Sequence, residues 1–147
     1  MDRKTIVFAT DFSNWSDEAL GYAETLASRD GARLLIVHVT EPTTVLGEGA
    51  FYYGVPTVDR GVLRESLEKV RPHDPSISCE HRLIEGNPAE ALVELAAQEH
   101  ADCIVLGSHG RTGLPRVLMG SVAEHVVRLA HCPVMVVKKS AAQTVGA

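Results

Sequence analysis

Cysteine is scarce in this 147-residue chain: Cys79, Cys103 and Cys132 are far apart, odd in number and never spaced as CxxC. That pattern argues against a disulfide framework or a zinc site and fits half-buried free thiols in a reducing compartment. No apolar run approaches the ~20 residues needed to span a bilayer. Met1-Asp2-Arg3-Lys4 leads straight into a strand-like segment, with no apolar signal-peptide core. A cytoplasmic location without a membrane partner is therefore expected. An excess of basic charge is also missing: 14 Lys and Arg stand against 19 Asp and Glu, for a net charge of -5. This speaks against the broad basic footprint that nucleic acid requires. A local anion site built from backbone amides survives the exclusion, because amides do not enter net charge. Two familiar phosphate motifs are absent as well. There is no GxxxxGK[ST] and no GxGxxG, and no acidic residue closes the second strand as a ribose ligand for NAD.

What is present is an ordinary globular composition, 45% hydrophobic and 22% charged. It fits a single domain over residues 1–139, followed by a small-residue tail over 140–147. Strand-like runs occur at Thr5–Ala9, Leu34–Val39, Ile77–Ile84, Cys103–Leu106 and Val134–Val137. Helical periodicity appears over Ser13–Arg29, Val58–Val70, a segment opening at Pro88, and Ser121–Leu129. Ser13, Asn14 and Ser16 all offer oxygens to cap the first helix, and Gly31 suits its left-handed end. Asn87-Pro88 opens the third helix, with Glu90 completing a capping-box-like arrangement. Pro72 and Pro75 follow the second. A long loop runs from Glu41 to Thr57, and such loops are usually functional or mobile.

Strands alternating with helices predict an α/β fold: a five-stranded parallel sheet with helices on both faces, Rossmann-like. The third strand carries Glu80, His81 and Arg82, so it belongs at an edge. The apolar first, second and fourth strands belong inside, which gives the order 3-2-1-4-5. The winding then reverses between the first and fourth strands, and ligands of such sheets sit beyond the carboxyl ends flanking that point. Those ends are Thr10-Asp11 and Gly107-Ser108.

Beyond the fourth strand lies Gly107-Ser108-His109-Gly110-Arg111-Thr112-Gly113, then Leu114–Met119, then Gly120-Ser121. Glycines permit close backbone approach, freed amides can cradle phosphate oxygens, and Gly120-Ser121 opens a helix whose first amides favour an anion. Read alone, these glycines serve equally well as turn punctuation. Asp11 alone fits a helix-capping residue as well as a ligand.

The whole pattern, Gly-x2-Gly-x9-Gly-Ser, resembles the ATP-binding type of the universal stress protein family, with an adenine nucleotide alpha-hydrolase-like fold. So do Ile6–Ser13, His38-Val39, Gly86-Asn87-Pro88, Ile104–Arg111 and Cys132–Val137. The resemblance runs from about Arg3 to Lys138, with Pro115 in the nine-residue spacer as a departure. It implies a dimeric stress-response and signalling module that binds ATP or AMP with little or no catalysis. Thr10 and Asp11 would meet the nucleoside, and backbone groups of Val39 the adenine. Leu106, Gly107, His109 and Gly110 would line the ribose and α-phosphate. Gly120, Ser121 and Val122 would hold the β- and γ-phosphates. Arg111 lies near the phosphates, yet fits a solvated loop residue as well. Mg2+ or Mn2+ bridging the phosphates would offset their charge in an acidic protein.

The alternative is a slow ATPase or nucleotidyl-transfer enzyme using the same site. Phosphoryl transfer calls for a positioned nucleophile and metal. The sequence shows no paired carboxylates beside the loop and no candidate base except His109, so no catalytic residue and no protein metal site are assigned. The last strand, Val134-Met135-Val136-Val137, is apolar yet placed at a sheet edge. It is expected to pair with its own copy in a two-fold homodimer. A signalling partner is implied but not identified.

Overall fold

The computed structural model describes residues 3–41, 60–108 and 120–138. The long loop beyond Glu41, residues 109–119 of the glycine-rich loop, and the expected tail lie outside the described residues. Five strands are present: β1 (Thr5–Ala9), β2 (Arg33–Thr40), β3 (Cys79–Glu85), β4 (Cys103–Gly107) and β5 (Val134–Val137). Four described helices connect them: α1 (Asn14–Asp30), α2 (Arg60–Glu68), α3 (Pro88–Gln98) and α4 (Ser121–Leu129). The sheet is parallel throughout, in the order β3-β2-β1-β4-β5. The order deduced from charge and apolarity along the strands is therefore the one the chain adopts.

Strand alternation sorts the core into two layers. Ile6, Phe8, Leu34, Ile36 and Val105 face Ala19, Leu20, Ala23 and Ala27 of α1 and Leu67 of α2. Val7, Leu35, Val37, Ile104 and Leu106 face Leu92, Leu95 and Ala96 of α3 and Ala123 and Val126 of α4. Each large side chain fully buried this way contributes about 1.5–3 kcal/mol. The small residues of α1 let that helix lie close to the sheet.

Local chemistry sets the boundaries. Ser13 is the cap of α1, its hydroxyl accepting from the Ser16 amide at 3.4 Å. Gly31 ends that helix at φ 61, a left-handed conformation that side chains other than glycine adopt at a cost. Asn87 accepts from the Glu90 amide at 3.0 Å, with Pro88 in the first turn of α3.

Most boundaries fall within one residue of the periodicity, and two inside the described residues differ by two residues. Helix α2 stops at Glu68 rather than Val70. The Lys69 and Val70 amides tighten onto the carbonyls of Ser66 and Leu67, and Arg71 Nε donates to the Glu68 carbonyl at 3.1 Å. Strand β3 begins at Cys79 rather than Ile77. The Asp74 carboxylate accepts from both the amide and the hydroxyl of Ser76, which turns the chain there. Ile77 is buried all the same, delivered to the core by that turn.

Candidate functional site

The winding reverses between β1 and β4, and both strands end there in polar turns. At the end of β1 every polar group of Thr10 is engaged. Its amide donates to the Val37 carbonyl at 2.8 Å. Its carbonyl accepts from His38 Nδ1 at 2.7 Å. Its hydroxyl accepts from the Phe12 amide at 3.0 Å and meets Ser16 Oγ at 3.1 Å. Asp11 follows, half-buried, with Oδ1 accepting from the Ser13 amide at 2.9 Å. The turn forces Phe12 to φ 67. For a residue with a bulky side chain this costs roughly 1–2 kcal/mol, so neighbouring contacts must impose it. The tilted packing of the Phe12 ring on His38, centroids 4.5 Å apart, is one of them.

Val39 lies beside this turn. In a parallel ladder a residue points its N–H and C=O to the same neighbour, and successive residues alternate. Val37 bonds toward β1 through its carbonyl, while the Thr40 carbonyl accepts from Gly86 on the other side. Val39 therefore directs its backbone groups toward β1, at the level where β1 has already turned away. No bond from the Val39 amide to the Thr10–Ser13 turn occurs among the described residues.

Across the switch point, β4 ends at Gly107, and the buried Ser108 donates its amide to the Val137 carbonyl at 2.8 Å. The Gly120 amide then donates to the Ser108 carbonyl at 2.5 Å. The glycine-rich loop thus leaves and re-enters the fold at one point, and α4 starts beside the end of β4. Gly120 caps α4 in extended conformation with no side-chain hydrogen bond, and the first intrahelical bond runs from the Glu124 amide to Gly120. The amides of Ser121, Val122 and Ala123 precede that bond, at the positive end of the helix dipole. Ser121 and Val122 are exposed, whereas the Leu106 side chain is 4% exposed and belongs to the core. Leu106 can reach a ligand only through its backbone.

The structure thus gathers Thr10, Asp11, Val39, Leu106, Gly107, Gly120, Ser121 and Val122 around the carboxyl ends of β1, β2 and β4. His109, Gly110 and Arg111 lie outside the described residues. A hydrogen-bonding backbone edge at Val39 and a helix N-terminus at Ser121 whose cap residue is Gly120 suit a flat polar base and an anion respectively.

The universal stress protein family model matches residues 2–138 of this chain. The universal stress protein MJ0531 of Methanocaldococcus jannaschii is 38% identical over 141 residues, spanning 92% of this chain and 82% of its own. The chain belongs to the universal stress protein family. Among solved structures, that of MJ0577 superposes with a TM-score of 0.75 at 27% identity, covering 95% of this chain and 99% of the other. A universal stress protein in complex with cAMP superposes with a TM-score of 0.65 at 30% identity, covering 93% and 98%.

Several structural features of this universal stress protein are invisible to motif reading. His38 enters the sequence only as half of His38-Val39, and nothing along the chain shows that its ring reaches the Thr10 carbonyl. Glu24, a charged residue mid-helix, is 9% exposed and accepts from the His73 amide at 2.6 Å and from His73 Nδ1 at 2.8 Å. It clamps the segment after α2 against α1. His81, expected at a sheet edge, sits on the edge strand β3 with Nε2 against the Val70 carbonyl at 2.8 Å.

All three cysteines are free and half-buried. Burial pushes the Cys103 thiol above its ordinary pKa, helped by Cys132 and Asp102, and burial with Asp102 does the same to Cys132. Neither is activated as a nucleophile. Among the described residues no group of three or more His, Cys, Asp and Glu could hold a metal ion, and no helix is long and apolar enough to cross a membrane.

Proposed function

We propose that this protein binds an adenine nucleotide, ATP or AMP, in the crevice between the ends of β1 and β4. We further propose that it acts as a stress-response signalling module with little or no catalysis. The observation that carries the reading is the juxtaposition of two complementary ends. The Val39 backbone edge beside Asp11 suits the base and nucleoside. The α4 amides, brought alongside β4 by the bond between Gly120 and Ser108, suit phosphates. The cAMP complex of the 30%-identical relative supports an adenine nucleotide as the ligand class.

In this reading Asp11 hydrogen-bonds the nucleoside and Thr10 shapes the turn that presents it. Backbone groups of Leu106 and Gly107, with His109 and Gly110, line the ribose and α-phosphate. Gly120, Ser121 and Val122 hold the outer phosphates, Arg111 adds positive charge, and Mg2+ or Mn2+ accompanying the nucleotide would offset the phosphate charge. Titration calorimetry with Mg-ATP tests it directly. Saturable binding is expected, and its absence sinks the proposal. A bulky residue in place of Gly110 should block the phosphates; unchanged affinity would mean that the site lies elsewhere.

We also propose a two-fold homodimer through β5. That strand ends the sheet, and Val134, Met135 and Val136 are only half-buried in the single chain. Their apolar edge is an open template for a second copy. A monomeric mass by light scattering at micromolar concentration would refute it.

A further inference from the structure

In a regular parallel ladder, the Val39 amide would donate to the Thr10 carbonyl as the next rung after the bond from the Thr10 amide to Val37. That rung is absent among the described residues, and the Thr10 carbonyl instead accepts from His38 Nδ1 at 2.7 Å. A carbonyl only accepts, so Nδ1 carries the proton. The same ring packs on Phe12, the residue at φ 67 that follows Asp11. One side chain from β2 thus does two things at the end of β1. It takes the carbonyl that would have closed the ladder, leaving the neighbouring Val39 amide directed at the crevice. It also braces the turn that carries Asp11.

We infer that His38 is a positioning residue for the base and nucleoside end of the site, acting through Val39 and Asp11 and not by touching the ligand. The inference rests on the nucleotide reading above for its purpose, but its geometry can be tested without any ligand. Three variants separate the possibilities. His38→Leu removes the donor and keeps bulk. His38→Asn keeps an N–H near the Nδ1 position, and His38→Gln places one near Nε2 instead.

In the nucleotide-free protein, amide hydrogen exchange followed by NMR should show His38→Leu exchanging faster at Ser13 and more slowly at Val39. The released Thr10 carbonyl becomes available to close the missing rung. His38→Asn should behave like the parent, and His38→Gln should not. Unchanged exchange at both amides in His38→Leu overturns the inference, whether or not any nucleotide binds.

With Mg-ATP and Mg-GTP as probes, His38→Leu should weaken ATP by roughly fivefold and narrow the ratio between the two affinities, with His38→Asn restoring both. A merely structural role would weaken both nucleotides in proportion and leave the ratio unmoved, which would also overturn it. If the parent binds neither nucleotide, the functional reading falls and the exchange result alone decides the role of His38.

Discussion

The two ends of the sheet handle their polar groups in opposite ways. At the amino ends of the strands the protein satisfies itself. Thr5 and Asp102 exchange bonds, the Thr5 amide donating to Asp102 Oδ2 at 2.9 Å and the Asp102 amide to the Thr5 carbonyl at 2.8 Å. Arg33 donates to Glu99 at 2.6 Å and to Thr5 Oγ1 at 2.9 Å, and it pairs with Glu80 at 3.4 Å. Arg82 closes the network between Glu80 and Glu99. At the carboxyl ends the chain instead holds Phe12 in a costly conformation, diverts the Thr10 carbonyl to a side chain, and places Gly120, which has no side chain to offer, at the cap of α4. The first arrangement stabilises the fold. The second forgoes stability that a cap or a rung would have supplied, as the proposed nucleotide site requires.

Substitutions that act on one end alone sharpen this contrast. The largest effect should come from Ser121→Asp. A carboxylate in the first turn of α4 should stabilise the fold by about 0.3–1 kcal/mol through the helix dipole. The same charge should repel phosphates and weaken Mg-ATP on the order of a hundredfold. Calorimetry and thermal melting read the two effects separately, and a stability gain with unchanged affinity would dissolve the contrast. Asp11→Ala should weaken nucleotide binding roughly tenfold by removing a charge-assisted contact. Its cost in stability should include the turn hydrogen bond to the Ser13 amide, about 1 kcal/mol.

The opposite end should behave in reverse. Arg33→Ala should lower stability by about 1 kcal/mol in urea unfolding and leave Mg-ATP affinity as it was. The smallest effect should appear in acid. The hydrogen bond from Arg33 holds Glu99 below the ordinary glutamate pKa; burial opposes this and the charges of Arg82 and Arg33 assist it. A carboxylate with a depressed folded pKa contributes stability above its unfolded value, about 4.3, and loses it as pH falls through the folded value. Stability measured against pH below that range should therefore decline less steeply in Glu99→Gln than in the parent. Parallel curves would show that the network does not couple to folding.

Much of this was legible in the chain itself. The strand order followed from which strands carry charge, and β3, with Glu80, His81 and Arg82, does lie at the edge. The caps at Gly31 and Asn87 were readable, and that opening α1 narrowed to Ser13, Asn14 or Ser16, because capping is chemistry within a few residues. The end of α2 was missed because its last turn is closed by Arg71 folding back, which periodicity does not register. Topology alone nominates the place of the proposed site, whereas the hydrogen bonds of Thr10 and His38 there are not legible in the sequence.

The sequence by itself determined the elements, their order in the sheet, the switch point and the glycine-rich segment beside it. These rest on local propensity and on apolar patterns with a fixed period. Only the tertiary structure decided that His38 would take the Thr10 carbonyl, that Phe12 would be held at positive φ, and that the Gly120 amide would meet Ser108. It likewise decided that Arg33, Arg82 and Glu99 would form one network. Each of these joins groups from different elements, and their distances exist only once the strands have paired.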